Sequence, residues 1–217
     1  MITYITEENI DDRVLSRAAA ILESGGLAAF PSDTSWLIAC SFNAKDGLKK
    51  LRAAADPSIL AGASPRREDR NFTLLCRDIS QFGEFCSMDN TRFRLIKRLT
   101  PGPYVFILKT LSGTEKILKL KRGEAGVRIP DHPVPLALIK TLGCPLYSVT
   151  AKKTMLNNGT EYAEGEELFE GGWELDDIEG IDLILDSGDE KQHIHTTVID
   201  LRDEAKLIRQ GAGPWPI

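Results

Sequence analysis

Stretches with the residue pattern of β-strands alternate with stretches patterned as helices along this chain. This interleaving limits the fold more than any other feature, because it favours helices packed on a sheet within one α/β domain. No linker rich in Ser, Gly or Pro divides the 217 residues. We therefore predict a single α/β domain over residues 1–217, with a mixed open sheet and flanking helices.

Local patterns place the individual elements. Short apolar runs rich in β-branched or aromatic residues predict strands at 1–5, 27–31, 36–41, 72–76, 104–109, 126–129, 146–150, 181–185, 196–201 and 206–209. Helical spacing and capping Asp residues predict helices after Asp11 or Asp12, at 46–55, after Asp78, at 91–99 and at 133–142. Two polar stretches, 56–69 and 152–172, are predicted to be long surface loops.

Charge and hydropathy exclude several classes of protein. The chain has 27 Lys and Arg against 32 Asp and Glu, a net charge of -5. This balance weakens a general case for nucleic-acid binding. It leaves room for a local basic patch, since basic residues cluster in the middle of the chain at Lys97, Arg98, Lys119, Lys121 and Arg122. No run of 18 apolar residues and no secretory signal pattern is found, so we predict no membrane partner and a cytoplasmic location.

The cysteines and histidines do not have the spacing of a metal-binding motif. The four cysteines lack CxxC spacing and lie in strand-like surroundings, which predicts buried free thiols at Cys40, Cys76, Cys86 and Cys144. His193 and His195 are two residues apart and would face one side of a strand. A metal site there would need a third ligand such as His132 or Asp131, and we expect none.

Named phosphate-binding motifs are absent, so a nucleotide would have to be held by scattered arginines, lysines, hydroxyls and backbone amides. Ser32, Asp33 and Thr34 follow a strand that ends at Pro31, either as a ligand site or as a simple capped turn. Arg128 lies in an apolar strand, where an unpaired charge is costly. It needs Asp131 or an anionic ligand as its partner.

Further arginines and hydroxyls extend this candidate cleft. Arg209 has an apolar setting similar to that of Arg128. Ser148 and Thr150 alternate along one strand and so face the same side. Arg66, Arg67 and Arg70 lie on the first long loop, where they either clamp phosphate or carboxylate groups or form a solvated charged loop. The residues alone predict a hydroxyl- and Arg-lined cleft for an anion.

Six segments, in this order, carry a family resemblance: Pro31-Ser-Asp-Thr34, Thr100-Pro-Gly-Pro103, Gly126-Val-Arg-Ile-Pro-Asp-His132, Pro145-Leu-Tyr-Ser-Val-Thr150, Thr196-Thr-Val-Ile-Asp-Leu201 and Ile208-Arg-Gln-Gly211. Together they resemble the YrdC family of threonylcarbamoyl-adenylate synthases and their paralogues, over about residues 10–213. The resemblance implies a twisted, mostly mixed sheet with a large concave face. It also implies that L-threonine, bicarbonate and ATP, with Mg²⁺, give threonylcarbamoyl-adenylate and pyrophosphate, toward the t6A base of tRNA.

The resemblance also assigns roles by position. It implies that Thr34 contacts the threonine or its carbamate, and that Trp36 packs on the amino acid. Arg66 and Arg70 match a basic loop that grips phosphates and carboxylate, so with Thr34 they are the expected catalytic residues. Nucleotide contacts are expected from Arg128, Ser148, Thr150, Lys152, Thr196 and Arg209.

Several positions depart from the family pattern: Ser64 replaces a lysine of the basic loop, Lys152 replaces an asparagine, Leu37-Ile-Ala39 replaces Gly-Leu-Gly, and Asn71-Phe-Thr-Leu74 replaces Pro-Leu-Ser-Leu. These changes resemble the YciO branch of paralogues. Two alternatives therefore stay open. One is a protein that binds double-stranded RNA or tRNA without turnover, through the concave face and the basic cluster at 116–122. The other is an enzyme for a different acid, with Lys152 as a fixed cation that favours a more anionic ligand.

Overall fold

The computed structural model describes residues 1–56, 72–114, 123–156, 161, 167–188 and 194–216. The strands are β1 Ile2–Tyr4, β2 Ala28–Pro31, β3 Trp36–Ser41, β4 Thr73–Leu75, β5 Tyr104–Lys109, β6 Glu124–Arg128, β7 Leu146–Thr150, β8 Leu183–Asp186, β9 Thr197–Asp200 and β10 Lys206–Arg209. The helices are α1 Asp12–Glu23, α2 Lys45–Ala55, α3 Ile79–Gly83, α4 Asn90–Leu99 and α5 Pro133–Leu142. Two 3₁₀ helices span Lys153–Met155 and Gly172–Asp177.

All these strands form one mixed sheet of order β1-β8-β2-β3-β7-β4-β6-β5-β9-β10. Strand β8 pairs in parallel with β1 and β2, and the pairs β4–β6 and β5–β9 are also parallel. The other neighbours are antiparallel. The predicted α/β fold with a mixed sheet is therefore confirmed.

Local signals begin and end the helices as predicted. The side chain of Asp11 accepts a hydrogen bond from the backbone of Arg13 and caps α1, and Asp78 caps α3 by accepting from the backbone of Gln81. Helix α5 ends at Gly143, whose φ of 70° lies in the left-handed region that favours glycine.

Helices cover both faces of the sheet. On one face, α1 and α5 pack on β2 and β3 through an apolar cluster that includes Leu15, Phe30, Leu37 and Leu138. The other face carries a larger cluster, to which α2, α3 and α4 contribute Leu51, Phe82 and Ile96. All four thiols are buried, as the sequence predicts.

The second predicted surface loop is exposed at Thr154, Glu161 and Glu170, but the prediction is wrong at three apolar residues. Met155, Leu168 and Phe169 are 3%, 1% and 1% exposed, because their apolar side chains fold back onto the larger core cluster. The strand placement of the histidine pair is wrong for His195, which precedes β9. His193 lies outside the described residues, as do residues 57–69 of the first predicted loop. No helix within the described ranges is long and apolar enough to cross a membrane.

Candidate functional site

One face of the sheet is covered by helices over one half and open over the other. Side chains alternate along a strand, and strand pairing carries each face across the sheet. Leu37, beneath α1 and α5, pairs with Thr150, so both residues share this face. The same register leads across β4, β6 and β5 to positions that are half-buried, whereas their neighbours on the opposite face are buried. The half-buried positions are Thr73, Val105, Ile107, Gly126 and Thr150.

We call this half of the sheet, with Ser148, the open face. Its side chains combine hydroxyl groups at Thr73, Ser148 and Thr150 with the aliphatic Val105 and Ile107. Ser148 donates from Oγ to the carbonyl oxygen of Thr73 at 3.1 Å. At its centre Gly126 has no side chain, and a Cβ there would lie 3.4 Å from Val105. The alternation of Ser148 and Thr150 on one side of β7 is confirmed by their pairing with Ala39 and Leu37, which share one face of β3.

A tight turn follows the end of β2. Ser32 holds the turn, because its Oγ donates to the carbonyl oxygen of Ser35 at 2.6 Å. Arg128 reaches the turn from β6, although β7 and β4 lie between β6 and β3. Its Nη2 donates to Asp33 Oδ1 at 2.6 Å and to Thr34 Oγ1 at 3.1 Å.

The partner of Arg128 is therefore Asp33, and Asp131, one of the two partners that the sequence left open, is wrong. The pairing depends on the strand order, which brings residues 95 positions apart into contact. Arg128 is 2% exposed, so burial lowers the pKa of its guanidinium, while the Asp33 carboxylate opposes this change. The buried atoms Arg128 Nε and Asp33 Oδ2 have no hydrogen-bond partner. A polar ligand can thus complete the hydrogen bonds of this pair.

A second group of cations lies where β7 ends and β9 begins. Lys152 forms an ion pair with Glu167, and His195 Nε2 lies 3.2 Å from the same carboxylate. Arg209 donates from Nε and Nη2 to the carbonyl and hydroxyl oxygens of Thr196, at 3.0 and 2.9 Å. The anion predicted for Arg209 is thus replaced by two neutral acceptors, and Lys152, which the sequence offered as a fixed cation for an anionic ligand, pairs with Glu167 in this structure.

Trp36 is covered in this structure. Its side chain is fully buried, and its Nε1 donates to the carbonyl oxygen of Glu170 at 3.3 Å. Gly172 lies against the ring, because a Cβ there would come within 2.9 Å of Trp36 Cη2. The role of Trp36 in packing on an amino acid stays a prediction.

The structure places the predicted site residues in two groups, Thr34 with Arg128 and Thr196 with Arg209, and the other predicted residues lie beside them or outside the described ranges. The residues outside the described ranges are Arg66, Arg67 and Arg70 of the basic loop, and Lys119, Lys121 and Arg122 of the basic cluster. Sequence reasoning missed the pairing role of Asp33 and missed Glu167 entirely. The only signal for Glu167 was the apolar pair Leu168-Phe169 directly after it in a polar stretch.

The Mg²⁺ expected with ATP raises the question of which side chains could hold a metal ion. Among the described residues, no three His, Cys, Asp or Glu side chains converge to hold a metal ion. The Mg²⁺ that the resemblance implies stays a prediction.

Comparison with known proteins agrees with this geometry. A family model named for Sua5, YciO and YrdC, and described as "Telomere recombination", matches residues 20–211. The uncharacterised protein YciO of Escherichia coli K12 is 33% identical over 216 residues, which cover 97% of this chain and 95% of YciO. The threonylcarbamoyl-AMP synthase of Bacillus subtilis 168 is 24% identical over 221 residues, covering 96% of this chain but 56% of the synthase.

Two solved structures share the fold. The crystal structure of E. coli YciO matches with a TM-score of 0.78 at 30% identity, over 99% of this chain and 97% of YciO. P. abyssi Sua5, solved as a complex with L-threonine, matches with a TM-score of 0.79 at 22% identity, over 99% of this chain and 58% of Sua5. The chain therefore spans little more than half the length of these two synthase-type relatives.

Proposed function

The chain belongs to the Sua5, YciO and YrdC family, and from this membership we propose that it is an ATP-dependent synthase of the threonylcarbamoyl-adenylate type. In the proposed reaction L-threonine, bicarbonate and ATP give threonylcarbamoyl-adenylate, pyrophosphate and water. Relatives from Bacillus subtilis, Pyrococcus abyssi and Mus musculus carry the name threonylcarbamoyl-AMP synthase. The proposal extends that activity to this chain and places it in the cytoplasm, with the product passing to t6A formation on tRNA.

The observation that carries the proposal is the open face with an arginine on each side. Arg128 has a buried Nε without a partner, beside the hydroxyl of Thr34. This arrangement suits a carboxylate or carbamate, which accepts charge-assisted hydrogen bonds from a guanidinium. Arg209 shares the face through its pairing with Val198, and it stands beside Thr196. Arginine and hydroxyl donors of this kind suit a phosphate.

The chemistry that these residues support is positioning and charge stabilisation. The carbamate oxygen forms a bond to the α-phosphorus of ATP while the bond to pyrophosphate breaks, and negative charge grows on the phosphate oxygens. Fixed cations beside those oxygens lower the energy of that transition state without a covalent nucleophile. The buried thiols fit this route, because burial raises the pKa of Cys86 to about 12 and leaves it protonated. Mg²⁺ would enter with ATP and neutralise phosphate charge.

The test is a turnover assay with radiolabelled bicarbonate, L-threonine, ATP and Mg²⁺ that follows threonylcarbamoyl-adenylate and pyrophosphate together. Threonine-dependent formation of both, in equal amounts, is the expected result. Folded protein that binds no ATP at millimolar concentration would refute the proposal. ATP binding with product from another acid, and none from threonine, would overturn the threonine assignment.

A matched pair of variants ties the activity to this site. Thr34→Val removes the hydroxyl that accepts from Arg128 but keeps the shape of the side chain. We expect its turnover to fall by about tenfold or more, because a hydrogen bond to a charged group contributes roughly 1.5–3 kcal/mol. Thr110→Val is the control, since Thr110 Oγ1 is buried without a partner. Thr34→Ser restores the hydroxyl and should restore turnover.

The RNA-binding alternative stays a prediction. Its basic cluster at 116–122 lies outside the described residues. Of Lys97 and Arg98, the two basic residues at the end of α4 that the sequence singled out, Arg98 donates to the carbonyl oxygen of Pro216.

A further inference from the structure

The carboxylate of Glu167 joins two parts of the sheet that lie far apart in the strand order. Strands β4, β6 and β5 separate β7 from β9. Lys152 follows β7, and His195 precedes β9, yet both contact the same carboxylate. Glu167 thus sits between the two ends of the open face, where it is 16% exposed.

The position of Glu167 is set by its backbone as well as by charge. Lys153 donates from its backbone N–H to the carbonyl oxygen of Glu167 at 2.7 Å, and Leu168 forms an isolated β-bridge with Lys152. Leu168 and Phe169 are then buried in the core. The Glu167 carboxylate is therefore presented to the cations by an ordered segment of backbone.

The groups around Glu167 are the kind that bind phosphate. Lys152 follows the end of β7 and reaches the Glu167 carboxylate, and Arg209 is on the open face through its pairing with Val198, which pairs with Val105. Lysine, arginine and hydroxyl groups on one face are typical of a phosphate site. His195 adds a buried Nδ1 that has no hydrogen-bond partner.

One carboxylate stands against two permanent cations here, so the group keeps an excess positive charge. The hydrogen bond from Lys152 lowers the pKa of Glu167, which is therefore ionised at neutral pH. A phosphate group carries more negative charge and more acceptor oxygens than a carboxylate. It can therefore displace Glu167 from Lys152, with the carboxylate moving toward solvent.

We propose that Glu167 is an internal competitor for a phosphate site formed by Lys152, His195, Thr196 and Arg209. The site takes a phosphate group, either of the ATP in the proposed function, on which this inference rests, or of the pyrophosphate product. While Glu167 is paired with Lys152, the site cannot bind phosphate. Only the fraction of molecules in which this pair is open can bind, so the apparent affinity for phosphate is reduced by that fraction.

The test is binding of pyrophosphate to the full chain, measured by calorimetry for the wild type and for Glu167→Gln. We expect the variant to bind about fivefold or more tightly, since it keeps the shape of the side chain and loses the charge. Glu124→Gln is the matched control. Glu124 is 17% exposed and pairs with Arg202, which is not one of the residues of the proposed phosphate site, so its loss should leave the affinity unchanged.

Equal or weaker binding by Glu167→Gln, or equal tightening by Glu124→Gln, would overturn the inference, as would the absence of pyrophosphate binding in every variant. Thermal unfolding of each variant shows that it is folded, and Glu167→Ala gives a second test of the same prediction. The turnover assay separates this inference from the proposed function. Tighter pyrophosphate binding without threonine-dependent product would refute the function alone, whereas product formation with unchanged affinity would refute the inference alone.

Discussion

Replacing Asp33 with Asn should strongly destabilise the protein, because Asp33 is the charged partner of a buried arginine. Arg128 is 2% exposed and Asp33 is 13% exposed, so solvent screens this pair little. Breaking a buried ion pair by removing one partner costs roughly 3–5 kcal/mol, because the other charge stays buried. Thr34 still accepts from Arg128 at 3.1 Å, so we expect the lower end of that range.

The assay is urea unfolding at pH 7, with the free energy of unfolding compared between variants. For a chain of this size, a loss of about 3 kcal/mol corresponds to a fall in Tm of about 6–12 °C. Asp46→Asn is the control, since Asp46 and Lys49 form an exposed pair, each 77% exposed. Such pairs contribute about 0–1 kcal/mol.

A double-mutant cycle then tests the cause. Arg128→Met removes the buried charge, so adding Asp33→Asn in that background should cost much less than in the wild type, with a coupling energy of about 2 kcal/mol or more. A loss in Asp33→Asn no larger than that in Asp46→Asn, or a coupling energy near zero, would refute the assignment of Asp33 as the partner that stabilises Arg128.

Three more predictions follow from single positions. Gly143→Ala should lower the free energy of unfolding by about 1–2 kcal/mol in the urea assay, since φ is 70° and nothing lies within 4 Å of a Cβ there. Gly172→Ala should destabilise by about 1–3 kcal/mol and shift tryptophan fluorescence, because its Cβ would lie 2.6 Å from Asp186 and 2.9 Å from Trp36. Burial and neighbouring cations lower the pKa of His195, and a bound phosphate would raise it again. The complex then takes up a proton, so calorimetry should show pyrophosphate affinity rising from pH 8 to pH 6 more steeply in the wild type than in His195→Gln; equal slopes would contradict this.

Local rules predict most of the elements because those rules operate within a few residues. Helix α5 runs from Pro133 to Leu142, as its pattern and the following Gly143 predict. The placement of Ser148 and Thr150 on the same side of β7 is also a local effect, since it follows from the alternation of side chains along a strand. The face that they share could be predicted, but the covering of one half by α1 and α5 could not.

Contacts between distant residues escaped the sequence reasoning. The sequence pointed to Asp131 as a partner of Arg128 because Asp131 is near in the chain. Asp33 is distant in the chain and comes near Arg128 only in the folded sheet, where β7 and β4 separate β3 from β6. Glu167 contacts Lys152 and His195 for a similar reason, since residues far apart in the chain come together only in the folded sheet. The burial of Leu168 beside it reversed the prediction of a solvated loop.

The chain's own acids neutralise two of the cations that the proposed ligands would contact, but in different ways. The pair of Asp33 and Arg128 is buried and retains two atoms without partners, so a ligand can add to it without breaking it. Lys152 in the pair with Glu167 is 31% exposed, against 2% for Arg128, so a ligand can reach this cation and exchange with the carboxylate. The two variants that neutralise these carboxylates should therefore have opposite effects on the protein. Asp33→Asn loses stability and leaves Arg128 unsupported, whereas Glu167→Gln keeps nearly all stability and binds phosphate more tightly.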